Sequence, residues 1–237
     1  MTASSGLVLV VGGTRGTGLL IAQLLFQRGY RVRVLARDPV RARADLGEGV
    51  EVVAGDITEP ETLPPAVQGA DHIVFTAGAR SGRYAPESLV KATDHDGVLN
   101  TLAAARSVGF AGRFVYLNSI GIATWSVSAM LINLLKRNTL VWRRRVEHEI
   151  RASGVDYTII RVGFLTNTPA GQRAVEIGQD ALALSPRRRI ARADVAEAFV
   201  AALSHPQASR ATFEIVWGKA KPREDWPTAL NRLKPDA

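Results

Sequence analysis

The chain has 237 residues, 46% hydrophobic and 22% charged, enough for the core of one α/β domain. It contains no cysteine, which excludes a disulfide framework, a thiolate metal site and a thiol nucleophile. The net charge of +8 is dispersed apart from Arg143–Arg145 and Arg187–Arg189, and the few aromatics are not interleaved with arginines, so no nucleic-acid surface is expected.

Apolar, β-rich runs alternate with helical patterns, which predicts βαβ units and a parallel sheet. Leu7–Val11 reads as a central strand, and Thr17–Arg28 as a helix stopped by Gly29. Arg31–Ala36 is strand two, and Asp38 and Pro39 start a short helix. Val50–Ala54 is strand three, with Thr58 and Glu61 as a capping box for the next helix. His72–Thr76 is strand four, Pro86–Val108 one long helix, and Arg113–Asn118 strand five. Val127–Ser153 reads as another long helical region, Tyr157–Arg161 as strand six, Ala193–Leu203 as a helix and Thr212–Trp217 as a final strand. The expected architecture is therefore α/β: a Rossmann-type doubly wound parallel sheet in a single domain, 1–237, with a small C-terminal substrate-side extension. Residues 165–190 form the expected substrate-side insertion, and 219–237 a partly ordered tail. No apolar run reaches the roughly 18 residues that span a bilayer, so no membrane partner is expected. Met1–Gly6 lacks the charged and apolar regions of a secretory signal, and a cytoplasmic location is expected.

The motif with the clearest chemistry is Gly12-Gly13-Thr14-Arg15-Gly16-Thr17-Gly18, running from strand one into the first helix. Gly12 permits a tight turn, Gly16 lets backbone approach a diphosphate, and Gly18 lets helix and strand pack. Amides of the new helix N-terminus, aided by its dipole, hold the anion. Gly12, Thr14, Arg15, Gly16, Thr17 and Gly18 are the candidate contacts. At the end of strand two, where an acid selects NAD, this chain has Arg37, with Arg15 as a second cation for a 2′-phosphate. Asp38 is the alternative, reading the ribose of NAD, although its place before Pro39 suits a helix cap. NADP(H) is favoured over NAD(H).

Together with Gly55-Asp56-Ile57, Ala77-Gly78-Ala79, Asn118-Ser119-Ile120-Gly121, Ser153–Thr158, Arg161-Val162-Gly163-Phe164-Leu165 and Arg192–Ala196, this motif resembles the atypical short-chain dehydrogenase/reductases. The resemblance is to their NAD(P)H-binding branch, similar to NmrA-like proteins and biliverdin/flavin reductases, over roughly Leu7 to Val216. It implies Asp56 and Ile57 beside the adenine, and Thr76, Ala77 and Gly78 beside its ribose. It also implies Ser119 near the nicotinamide, and Gly163, Phe164 and Leu165 along the carboxamide, with Val162 replacing the usual proline. Arg192–Ala196 is read as structural.

Most short-chain dehydrogenases use a tyrosine four residues before a lysine that lowers its pKa. Here the lysine position falls near Arg143 and the tyrosine position near Thr139, and Trp125–Asp156 contains no tyrosine. Arg143 can bind the nicotinamide ribose, or be a surface arginine, but cannot serve as an acid. Ser119 and, less directly, Tyr116 are the catalytic candidates, unless strand parity turns Tyr116 into the core. His148 reads as an exposed helix residue, His95 and Asp96 as helix-face residues rather than a dyad, and no metal spacing is evident. Three functions follow: a reductase delivering hydride to a small organic acceptor, a dinucleotide-binding sensor acting on a protein partner, or an NADP-dependent epimerase or isomerase. The acceptor walls are expected from Ala79–Ala85, Ile120–Leu135 and Leu165–Ile190. Trp125, Met130, Leu131 and Phe164 suggest either an apolar pocket or core, and the basic helix 136–151 either a homo-oligomer interface or a solvated face.

Overall fold

Leu7–Val11 carries five apolar residues in a row because β1 is covered on both faces and hydrogen-bonded on both edges. In the computed structural model, which describes residues 6–79, 86–218 and 224–237, β1 pairs in parallel with β2 (Arg31–Ala36) and β4 (His72–Phe75). From β2 the sheet continues to β3 (Glu51–Ala54), and from β4 to β5 (Arg113–Ser119), β6 (Asp156–Val162), β10 (Ala211–Trp217) and β8 (Val175–Gly178). The order is β3-β2-β1-β4-β5-β6-β10-β8, and only the β10–β8 pairing is antiparallel among the described strands. A separate parallel pair joins β7 (Phe164–Thr166) to β9 (Arg189–Ala191). The order reverses between β1 and β4, so the carboxyl ends of these two strands flank the crevice in which doubly wound sheets bind ligands.

Helices cover both faces. α1 (Gly16–Gln27), α8 (Arg192–Ala202) and α9 (Trp226–Leu230) share one apolar core with the sheet. On the other face, α3 (Pro64–Val67), α5 (Gly97–Ser107) and α7 (Thr139–Ala152) bury Phe75, Phe114, Tyr116 and Ile159. α2 (Pro39–Leu46) begins as expected, the Asp38 carboxylate accepting the Arg41 amide at 3.1 Å. The Rossmann-type, doubly wound, single-domain α/β architecture is thus realised.

Three local expectations are corrected. The helix expected over Pro86–Val108 is α4 (Glu87–Lys91) and α5 joined by a π turn, Ala92–Asp96, whose wider winding buries both Asp94 and His95. The helical region Val127–Ser153 is two helices, α6 (Val127–Leu135) and α7, because Arg137 and Asn138 adopt left-handed backbone at φ 51° and 60°. Thr58 does not cap a helix; its amide and hydroxyl both donate to Asp56 Oδ1 at 2.9 Å, and a 3₁₀ turn, Pro60–Thr62, follows.

The span 165–190 contributes β8 to the main sheet and pairs β7 with β9. Of the tail, 224–237 packs closely: Trp226 is buried beside Leu230 and Leu233, and its Nε1 donates to Glu197 Oε2 at 3.0 Å. Residues 219–223 of the tail lie outside the described residues, as do 80–85 of the expected acceptor wall.

A row of polar residues crosses the sheet where register aligns Asn118, Arg161 and Glu214 on β5, β6 and β10. Glu147 of α7, 2% exposed, sits above them and accepts from Asn118 Nδ2 at 2.7 Å, from Arg161, and from Arg151 at 2.5 Å. Burial pushes the Glu214 carboxyl up, although the Leu182 amide and Arg161 both hydrogen-bond to it. Arg151 reaches on to Asp236 at 3.1 Å, and Asp236 accepts from Tyr157 and Thr212, which ties the C-terminal tail to the same network. Removing one member strands a buried charge. Glu147→Ala is expected to lower unfolding free energy by about 3–5 kcal/mol in urea titration; a loss below about 1 kcal/mol would show that solvent reaches Arg161 readily.

Candidate functional site

The glycine turn has the geometry its sequence implies. Gly12 has φ +86°, and a Cβ there would lie 2.6 Å from the Ala77 amide nitrogen. A Cβ on Gly18 would lie 2.2 Å from the Gly12 carbonyl oxygen, so only hydrogen at both positions lets α1 close onto β1. At Gly16 the space is open, the nearest atom being Arg192 Nε at 3.8 Å from the Cβ position. α1 starts at Gly16, with no side-chain cap on its first amides and no acidic residue in its first turn. Those amides and the positive end of the helix dipole therefore meet no acidic side chain within the first turn. Thr14 is half-buried, Arg15 exposed, and the Thr17 side chain buried, so Thr17 presents backbone rather than hydroxyl.

Arg37 and Asp56 stand at the carboxyl ends of the neighbouring strands β2 and β3, 3.8 Å apart, with the Arg37 side chain 78% exposed. Ile57 is buried against Gly97 of α5, its carbonyl accepting from Asn100 at 2.8 Å. Thr76 is occupied structurally: its hydroxyl donates to the Val11 carbonyl at 3.1 Å and to that of Gly12 at 3.4 Å, which fixes the turn. Sequence reasoning missed one cation. Arg192, at the start of α8, belongs to a motif the sequence assigns to packing, but its guanidinium lies by Gly16 and donates to Asn167 at 2.7 Å. The remainder of its motif is structural: Asp194 is fully buried and accepts from the Gly171 amide at 2.8 Å and Trp217 Nε1 at 3.1 Å.

Beside Ala77 and Gly78, the residues near which the resemblance places the tyrosine–lysine pair gather around a carboxylate. Thr139 and Arg143, one turn apart on α7, both bond to Asp94, which is 2% exposed in the π turn. Asp94 Oδ1 also accepts the Ala79 amide at 2.9 Å, and Arg143 donates to the Leu117 carbonyl at 3.2 Å. A Cβ on Gly78 would meet the Arg143 guanidinium at 2.6 Å, so Arg143 is no surface arginine: it lies against the ends of β4 and β5. Asp94 holds its positive charge firmly in spite of burial. Ser119, half-buried at the end of β5, has its amide on Asn118 Oδ1 at 2.9 Å and its hydroxyl on the Ile120 carbonyl at 3.0 Å.

Tyr116 is corrected as a proton donor. Strand parity turns it into the core, 1% exposed against Phe75, and burial raises its phenol well above the ordinary value. His95 and Asp96 are also not separate helix-face residues; Nδ1 lies 2.7 Å from Asp96 Oδ1, and the imidazole packs edge-on to Trp142. Among the described residues no group of three or more His, Asp or Glu side chains is arranged to hold a metal ion.

On the acceptor side, β7 is held by the Phe164 amide donating to the Arg188 carbonyl at 2.8 Å, which brings Gly163 and Leu165 alongside β9. Phe164 packs with Ile120, Ile122, Leu140, Leu184 and Val216. Immediately beyond Ser119 lies an open cleft of about 560 Å³, walled by the 121–126 loop, Met130 and Leu134 of α6, and Leu140 and Arg144 of α7. Trp125, Met130 and Leu131 are therefore exposed cleft and surface residues rather than core.

This geometry agrees with what the chain resembles. It is 31% identical over 254 aligned positions to sanguinarine reductase of Eschscholzia californica, covering 90% of each chain. To the photosystem II assembly factor Ycf39 of Synechocystis it is 30% identical over 220 positions, covering 90% of this chain and 63% of that one. The solved structure of a Bacillus halodurans protein assigned as an NAD-dependent epimerase/dehydratase superposes with a TM-score of 0.79 at 23% identity, over 96% of this chain and all of that one, which supports the fold. A family model for NAD(P)H-binding proteins matches residues 12–206, from the first glycine of the turn past the end of α8. The chain belongs to this NAD(P)H-binding, reductase-like family, as its resemblance to the atypical short-chain dehydrogenase/reductases implied.

Proposed function

We propose that the protein is an NADPH-dependent reductase that passes hydride to a small, conjugated organic acceptor bound in the cleft beyond Ser119. The observation that carries this reading is the Thr139–Asp94–Arg143 cluster, which occupies the place of the usual proton donor and offers no group able to give up a proton near neutrality. A carbonyl needs a proton as its oxygen gains charge; a quinone, flavin or extended conjugated system spreads the charge and takes its proton from water. The bound reduced nicotinamide supplies the hydride and its two electrons. The chain supplies position: α1 amides and Arg192 for the diphosphate, Arg37 and Arg15 for the 2′-phosphate, Asp56 and Ile57 for the adenine side, and Arg143 with Ser119 near the nicotinamide ribose. Gly163, Phe164 and Leu165 border its carboxamide. The relative named sanguinarine reductase supports this class of reaction.

A second reading, a dinucleotide-binding regulator of a protein partner, is favoured by the relative named as an assembly factor. The two separate on turnover. With NADPH in excess, menadione or FMN is expected to accelerate NADPH oxidation, while simple ketones and aldehydes do not; tight NADPH binding with no turnover across such a panel would reject the reductase and leave the regulator.

The cation assignments separate by cofactor. Arg37→Ala is expected to weaken NADPH about tenfold, near 1.4 kcal/mol, and leave NADH unchanged. Arg192→Ala should weaken both equally, because the diphosphate is common to them. Titration of intrinsic fluorescence reads both, and an equal loss for the two cofactors with Arg37→Ala refutes its role.

Turnover should lack the pH limb that a lysine-activated tyrosine produces. A rate falling by tenfold per pH unit over the neutral range would place an unrecognised proton donor in the site.

A further inference from the structure

Seven of the ten exposed large hydrophobic side chains among the described residues lie between positions 125 and 141. Val127, Met130, Leu131 and Leu134 follow at i, i+3, i+4 and i+7, a single stripe along α6. Leu134 is 73% exposed and Trp125, just before the helix, is 79% exposed. The helix is nonetheless firmly seated. Ser126 caps it through the Ala129 amide at 3.1 Å, and Ala129 and Ile132 on its other side pack with Ile122 and Leu140. A well-anchored helix thus turns a second apolar face outward.

The surroundings of that face are basic. Lys136 and Arg137 follow the helix at exposed positions, and Arg144 and Arg145 stand on α7. Between residues 97 and 146 the sequence contains no aspartate or glutamate. Glu87, which reaches this side from α4, is already engaged by Asn138 at 3.1 Å and Trp142 at 3.0 Å.

We propose that Trp125 and the exposed stripe of α6 dock on an anionic phospholipid surface, with the apolar side chains in the interfacial layer and the flanking cations on headgroups. Apolar residues with an exposed tryptophan, rimmed by lysine and arginine, make up the composition of an interfacial helix. Anionic headgroups neutralise the rim. A second copy pairing through the same patch gathers like charges instead. No described helix is long and apolar enough to cross a membrane, and α6, about 13 Å long, lies flat in this arrangement. The mouth of the cleft shares Trp125, Met130 and Leu134 with the docking face. The inference does not rest on the reductase reading.

Co-sedimentation with sucrose-loaded vesicles tests it. Binding is expected to vesicles of equal parts phosphatidylglycerol and phosphatidylcholine, to weaken with added salt, and to be absent with phosphatidylcholine alone. Trp125→Ser with Leu134→Ser should weaken binding at least about tenfold, as should Lys136→Glu with Arg137→Glu, while an unchanged circular dichroism spectrum and unfolding midpoint report an intact fold. In the unaltered protein, brominated acyl chains should quench a fluorescence component that Trp125→Phe removes. No binding to the anionic vesicles, equal binding to both compositions, or binding unchanged in the double variants overturns the proposal. A concentration-dependent dimer dissolved by Trp125→Ser with Leu134→Ser assigns the face to a second copy and overturns it as well.

Discussion

The contact between α1 and β1 governs the rest of the site. Packing that brings a helix glycine under the Gly12 carbonyl leaves no room for a methyl group on either partner, and it fixes where the first turn of α1 points. Thr76, just past β4, bonds to the Val11 and Gly12 carbonyls, so three elements converge on one turn whose charged side chain, Arg15, is exposed. The amides at the helix start remain unpaired by acid or cap. Polarity in the crevice is thus provided by backbone, which cannot be protonated or rotated away, with arginines standing around it.

Across the crevice the logic is reversed. There the polar groups are side chains, buried, and mutually committed. Asp94 accepts from a hydroxyl, a guanidinium and a backbone amide, leaving little capacity for other partners. A lysine–tyrosine pair works because the cation lowers the phenol's pKa while both remain accessible. In this chain the nearby cation is Arg143, paired with the Asp94 carboxylate, and no tyrosine lies between Trp125 and Asp156. On the proposed reading, hydride acceptors that stabilise their own charge suit such an arrangement.

How much of this was legible depends on how local the physics is. The glycine turn was, because each glycine answers a steric demand within a seven-residue span. The succession of central strands and helices along the chain was too, since apolar runs and helical spacing alternate cleanly. The Asp94 cluster was not. Its members are separated by 45 and 49 residues and meet only because a π turn rotates the carboxylate inward, and nothing in the pattern of Pro86–Val108 announces that extra winding. The break between α6 and α7 carried one weak signal, Asn138, a residue that tolerates left-handed backbone. Tyr116 was decidable from alternation, since Phe114, Tyr116 and Asn118 share a face, and the structure turns that face to α7. Arg192 was overlooked because its motif is otherwise devoted to packing, with Asp194 in the interior and Arg192 two residues earlier at the helix start.

The π turn between α4 and α5 carries an evolutionary implication. Such a turn differs from ordinary α-helix by one inserted residue, and each residue turns a helix through about 100°. Losing a single codon within 92–96 would swing Asp94 away from Gly78 and release the Arg143 guanidinium toward the crevice. A one-residue indel, as well as a substitution of Asp94 itself, therefore separates this neutralised site from one holding an unopposed cation.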